Sequence, residues 1–112
     1  MISKIKRKIL VTTGTRADYG ILRPILHQIK NSKKLELILV VTGTHLSKKY
    51  GYTINEIKKD KFSIQAKIPI IPRKDTNYSM SIALGENIIR FSKVFKKLNP
   101  DINLILGEGI VL

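Results

Sequence analysis

The sequence contains no cysteine and no tryptophan, and it sets only 8 acidic residues against 21 lysines and arginines. The absence of cysteine removes both a disulfide framework and a thiolate metal site. Two histidines, His27 and His45, cannot make a zinc site without several carboxylates, so neither a metal nor another cofactor is expected. No apolar run approaches the roughly 20 residues that a membrane-spanning helix requires. The basic start, Met1 to Lys8, leads into an apolar stretch too short for a signal-peptide core, and a cytoplasmic setting is expected. The excess of base over acid gives a net charge of +13, which raises a nucleic-acid-binding reading. The lysines argue against it. They fall in scattered pairs, Lys33-Lys34, Lys48-Lys49, Lys58-Lys59 and Lys96-Lys97, with no aromatic residues between them for base stacking.

What is present is the composition of a folded domain. Hydrophobic residues make up 43% and charged residues 26% of 112 positions, enough for one domain with a core and too few for two. The most informative stretch is Ile9-Leu10-Val11-Thr12-Thr13-Gly14-Thr15-Arg16-Ala17-Asp18-Tyr19-Gly20. It starts as a continuous apolar run, as in a parallel strand covered on both faces, breaks at Gly14, and continues with helical periodicity. In an α/β protein, strand ends and helix N-termini converge at such a junction, and unpaired N–H groups there favour anions. Arg16 adds a charged fork suited to phosphate or carboxylate, and Asp18 is a carboxylate able to cap the helix or touch substrate.

The spacing predicts a helix over residues 18–31, with Ile21, Leu22, Ile25, Leu26 and Ile29 on its apolar side, Pro24 near its start and His27 at a solvent edge. A second continuous strand over 35–41 ends in Thr42-Gly43-Thr44-His45, repeating the pattern of Thr13-Gly14-Thr15-Arg16. Adjacent parallel strands would place the two turns side by side, with Arg16 and His45 at the mouth of one crevice. Thr53-Ile54-Asn55-Glu56 has capping-box spacing and predicts a short helix over 54–60; Tyr50 and Tyr52 before it read as core. A third, alternating strand is expected over 64–68, closed by Pro69 and Pro72. Met80, Leu84, Ile88, Phe91, Phe95 and Leu98 then form one expected core stripe on a long helix over 76–98, capped by Asp75 or Thr76 and ended by Asn99-Pro100. A fourth strand is expected over 102–106, running into Gly107-Glu108-Gly109. Ile110-Val111-Leu112 reads as the start of a further helix, so an uncovered sheet face inviting a partner is expected.

The co-linear series Thr13-Gly14-Thr15-Arg16-Ala17-Asp18-Tyr19-Gly20, Val41-Thr42-Gly43-Thr44-His45-Leu46-Ser47, Tyr50-Gly51-Tyr52-Thr53 with Ile57 and Asp60, Asn99-Pro100-Asp101 and Leu106-Gly107 resembles the N-terminal portion of the hydrolysing UDP-N-acetylglucosamine 2-epimerases of sialic-acid and legionaminic-acid-type pathways. The resemblance implies an α/β, Rossmann-like three-layer parallel sheet. It implies that residues 1–112 form a single partial domain, an incomplete N-terminal half of a two-domain GT-B fold whose second nucleotide-binding domain is absent. The implied substrate is a UDP-sugar. UDP is eliminated across C1–C2 and water adds to the glycal, inverting C2 and releasing N-acetylmannosamine. Thr15, Arg16 and His45 would bind substrate, with Arg16 on the diphosphate, and Asp18 and Glu108 would supply catalytic carboxylates. The family reads Gly-Asp-Arg where this chain reads Gly107-Glu108-Gly109, so Glu108 keeps the carboxylate while the arginine is lost. The implied partners are a complementary C-terminal domain chain or a second copy, and the chain alone is expected to be inactive. A non-catalytic α/β interaction module and a basic nucleic-acid-binding domain are the alternatives.

Overall fold

Two central strands set the frame. In the computed structural model, which describes residues 6–46, 53–69 and 76–106, β1 (Arg7–Thr13) pairs in parallel with β2 (Leu35–Thr42), Ile9 opposite Leu37 and Val11 opposite Leu39. β3 (Ile64–Ile68) adds to β2 and β4 (Ile102–Leu104) to β1, both in parallel, giving the order β3-β2-β1-β4. The connections are α1 (Arg16–Asn31), α2 (Ile54–Lys59) and α3 (Asn77–Leu98), with one 3₁₀ turn at Gly43–Leu46 before α2. Because side chains alternate across a strand, Ile9, Val11, Leu39 and Val41 face α1 and α2, while Leu10, Ile38, Val40 and Ile68 face α3. The result is a four-stranded parallel α/β sheet with helices on both sides, the strand order reversing beside β1.

Several boundaries differ from the sequence reading for identifiable reasons. α1 begins at Arg16 rather than Asp18, because Thr15 is the cap: its Oγ1 accepts the Asp18 N–H at 3.1 Å. Asp18 is therefore inside the first turn and not the cap. Pro24 consequently lies in the helix interior and forgoes one backbone bond, yet α1 continues to Asn31. The capping box at Thr53 and Glu56 does not form; the Thr53 side chain makes no cap hydrogen bond. β4 stops at Leu104, pinned at its start where Asp101 takes the Lys8 N–H at 2.7 Å and returns its own N–H to Lys8 O at 2.9 Å.

The expected core stripe of α3 is the largest departure. Met80, Leu84 and Ile88 are 53%, 60% and 60% exposed, and contact with the sheet comes from Phe91, Val94 and Leu98. The reason is geometric. At 1.5 Å per residue a helix of 22 residues is about 33 Å long, whereas a five-residue strand such as β3 spans about 17 Å. Thr76 caps α3, accepting the Ser79 N–H at 3.1 Å, and Asn99, left-handed at φ 46°, closes it on Phe95 O. Tyr50, Tyr52, Asp75 and Ile110-Val111-Leu112 lie outside the described residues.

Candidate functional site

The two Thr-Gly-Thr turns do meet. Gly43 adopts φ +64°, and a Cβ there would lie 2.8 Å from the Gly14 carbonyl oxygen, so only glycine lets the second turn close on the first. The His45 N–H donates to that same oxygen at 3.4 Å. Both turns thus leave the carboxyl ends of β1 and β2 packed backbone to backbone. Thr15 and Arg16 follow immediately, opening α1, and a Cβ on Gly14 would lie 3.7 Å from an Asp18 carboxylate oxygen.

His45 is fully buried in this arrangement. Its Nε2 lies 3.0 Å from Thr13 Oγ1 and its Nδ1 2.7 Å from Thr53 Oγ1, so both ring nitrogens are engaged by threonine hydroxyls. Tyr19 meets the imidazole edge-on at 6.3 Å between centroids. Burial pushes the His45 pKa below its ordinary value, and nearby Asp18 pulls only partly in the other direction. A neutral ring satisfied by two hydroxyls fixes the second turn from behind, and it presents no exposed surface at the mouth of the crevice where the sequence placed it.

Arg16 is the opposite case. Its side chain is 72% exposed, and Nε donates to both carboxylate oxygens of Glu56 at 3.1 Å. Further along α1, the Tyr19 hydroxyl donates to Asp60, which also receives Arg23 Nη2 at 3.2 Å. Burial and the neighbouring Asp60 raise the Tyr19 pKa far above its usual value, so the phenol stays protonated. Between α1 and α2 these residues line an open cleft of about 360 Å³, with Arg16, Arg23 and Lys59 as its cations and Glu56 and Asp60 as its anions.

Sequence reasoning gave three of these residues no role in the site. Thr53, Glu56 and Asp60 recur at steps of three and four, which places them along one side of α2, and each holds a group from the neighbourhood of the turns. The capping-box reading concealed this, because it assigned Thr53 and Glu56 to the helix's own backbone. Glu108 lies outside the described residues. Among the described residues no group of three His, Asp or Glu side chains is placed to hold a metal ion. No described helix is long and apolar enough to cross a membrane.

Fold and turns together define an α/β protein whose two glycine turns meet at the carboxyl end of its sheet, the end at which such folds bind ligands. Residues 27–109 match the family model for UDP-N-acetylglucosamine 2-epimerase. Among curated relatives, a UDP-N,N'-diacetylbacillosamine 2-epimerase (hydrolyzing) of Legionella pneumophila is 44% identical over 102 residues, covering 91% of this chain and 27% of the relative. A GDP/UDP-N,N'-diacetylbacillosamine 2-epimerase (hydrolyzing) of Campylobacter jejuni is 41% identical over 103 residues, with 92% and 27% covered. A solved UDP-N-acetylglucosamine 2-epimerase superposes with a TM-score of 0.69 at 19% identity, over 90% of this chain and 26% of that one. The chain belongs to the UDP-N-acetylglucosamine 2-epimerase family and corresponds to its N-terminal portion. It spans about a quarter of the length of the curated relatives it matches.

Proposed function

We propose that the chain is the N-terminal, diphosphate-facing part of a hydrolysing UDP-N-acetylglucosamine 2-epimerase. In this reading residues 1–112 are a partial Rossmann-like domain of a cytoplasmic GT-B enzyme, and the second nucleotide-binding domain comes from a complementary C-terminal segment or chain. The observation that carries the reading is the exposed Arg16 guanidinium at the first turn of α1, beside two interlocked glycine turns. Such a position combines a fixed positive fork with helix N-terminal N–H groups, the combination that binds a diphosphate and stabilises it as a leaving group.

The roles divide accordingly. Thr15 and Arg16 hold the diphosphate, and His45 serves the same substrate-binding turn from behind. Asp18, and Glu108 where the family sequence carries an aspartate, supply carboxylates for moving the C2 proton. These 112 residues by themselves, about a quarter of the length of the relatives they match, should form no N-acetylmannosamine from UDP-N-acetylglucosamine, because a misplacement of about 1 Å already lowers rates on the order of 100-fold.

Calorimetric titration of UDP into the 112-residue chain tests the reading. Saturable binding that Arg16→Ala removes is the expected result, and no binding by the unmodified chain would defeat it. A second reading, a non-catalytic interaction module, is favoured by the exposed apolar side chains Met80, Leu84 and Ile88 on α3. A chain that ignores UDP yet self-associates through α3 would select that one.

A further inference from the structure

We propose that Glu56 is a positioning residue for the anion site: it grips Arg16 by Nε and thereby presents the two terminal nitrogens of the guanidinium to the ligand. The inference rests on the diphosphate-facing reading of Arg16 and assigns that reading a residue outside the turns.

The geometry of the pair carries it. Both Glu56 oxygens lie 3.1 Å from Arg16 Nε. A guanidinium can take a carboxylate or phosphate along its side edge, through Nε and one terminal nitrogen, or end-on through both terminal nitrogens. A contact centred on Nε occupies the side edge and leaves the end edge for a second anion. The pair itself is exposed, at 72% for Arg16 and 44% for Glu56, so it adds little to the stability of the fold. Its effect is on the orientation of a long, otherwise freely rotating side chain.

The placement of Glu56 supports the same conclusion. Ile54 and Ile57 bury α2 against the sheet, so the helix is a fixed support. From it, Thr53 holds the His45 ring, Glu56 holds Arg16, and Asp60 holds Tyr19 and Arg23. Glu56 is thus the middle contact of three that tie one short helix to the second turn, through His45, and to α1, through Arg16, Tyr19 and Arg23. A carboxylate that merely competed with the ligand for Arg16 would have no reason to share this alignment.

The test uses the whole chain and UDP as the probe. The Arg16 Nε–H resonance is followed by ¹H–¹⁵N NMR, and UDP affinity is measured for the unmodified protein, Glu56→Ala and Glu56→Gln. In the free protein the Nε–H signal should be protected from exchange, and it should stay protected when UDP binds. Glu56→Ala should lose that protection and bind UDP about two- to tenfold more weakly, the size expected when one long side chain must be ordered by the ligand instead. Glu56→Gln, which keeps an oxygen acceptor for Nε–H, should retain most of the affinity. The thermal midpoint should barely move in either variant, which separates positioning from a general structural role.

Unchanged or tighter UDP binding by Glu56→Ala overturns the inference, as does loss of Nε–H protection when UDP is added, since Glu56 would then be a competitor. Failure of the unmodified chain to bind UDP defeats the underlying reading and the inference together. Binding by the unmodified chain with an indifferent Glu56→Ala defeats the inference alone.

Discussion

On one face of the sheet, α1 and α2 bring Leu22, Leu26, Ile29, Ile54 and Ile57 onto Ile9, Val11, Leu39 and Val41, and all of these are buried. On the other face α3 offers Phe91, Val94 and Leu98 to Leu10, Ile38, Val40 and Ile68, and not one residue of α3 is itself buried. The same sheet therefore has a closed side and an open side. The closed side also carries the polar contacts that fix the second turn and α1: Thr13 and Thr53 on His45, Glu56 on Arg16, Asp60 on Tyr19. Site geometry is thus set by the closed side of the sheet, and α3 contributes little to it.

That contrast can be broken in four ways, in decreasing order of effect. Leu26→Ala on the closed side should lower unfolding free energy by about 2–5 kcal/mol, because Leu26 is fully buried. Phe91→Ala on the open side should cost clearly less, since Phe91 is only partly buried. Urea unfolding measures both, and equal losses would erase the distinction between the faces.

Gly43→Ala should destabilise by about 1–3 kcal/mol, since it forces a left-handed backbone on alanine. The new Cβ also pushes against Gly14 O, so amide resonances of both turns should shift. Confinement of the shifts to the second turn would mean that the turns are not interlocked.

His45 makes the closed side sensitive to acid. Its folded pKa lies below the ordinary 6.5, so the unfolded chain binds the extra proton first. Stability should be flat above pH 6.5 and fall as the pH drops below it, by no more than about 1.4 kcal/mol per pH unit from this group. His45→Gln should lose that acid limb in pH-dependent denaturation; an unchanged limb would assign it to other groups.

Leu84→Ser, at a position 60% exposed on α3, should change stability by about 0.5 kcal/mol or less. A loss comparable to that of Leu26→Ala would show that the outer side of α3 is covered.

Much of this was legible in the sequence. Continuous apolar runs ending in Thr-Gly-Thr marked β1 and β2 as covered parallel strands and placed their turns together. The cap of α1 was not legible, because Thr15 and Asp18 are both capable caps and only the backbone decides between them. Thr53 and Glu56 satisfied a local pattern that tertiary partners overrode: a buried imidazole and an arginine gave each a better contact than its own helix end. Periodicity identified an apolar side of α3 but carried no information on the length of sheet available to meet it.

Arg16 and its neighbouring turns are the place proposed to bind a nucleoside diphosphate. Titration of UDP into the ¹⁵N-labelled chain, with shifts mapped residue by residue, tests this most directly. The predicted result is saturable movement of Gly14, Thr15, Arg16 and Gly43 that Arg16→Ala abolishes. Shifts confined to α3 or to the scattered lysine pairs, or binding undiminished in Arg16→Ala, would contradict it.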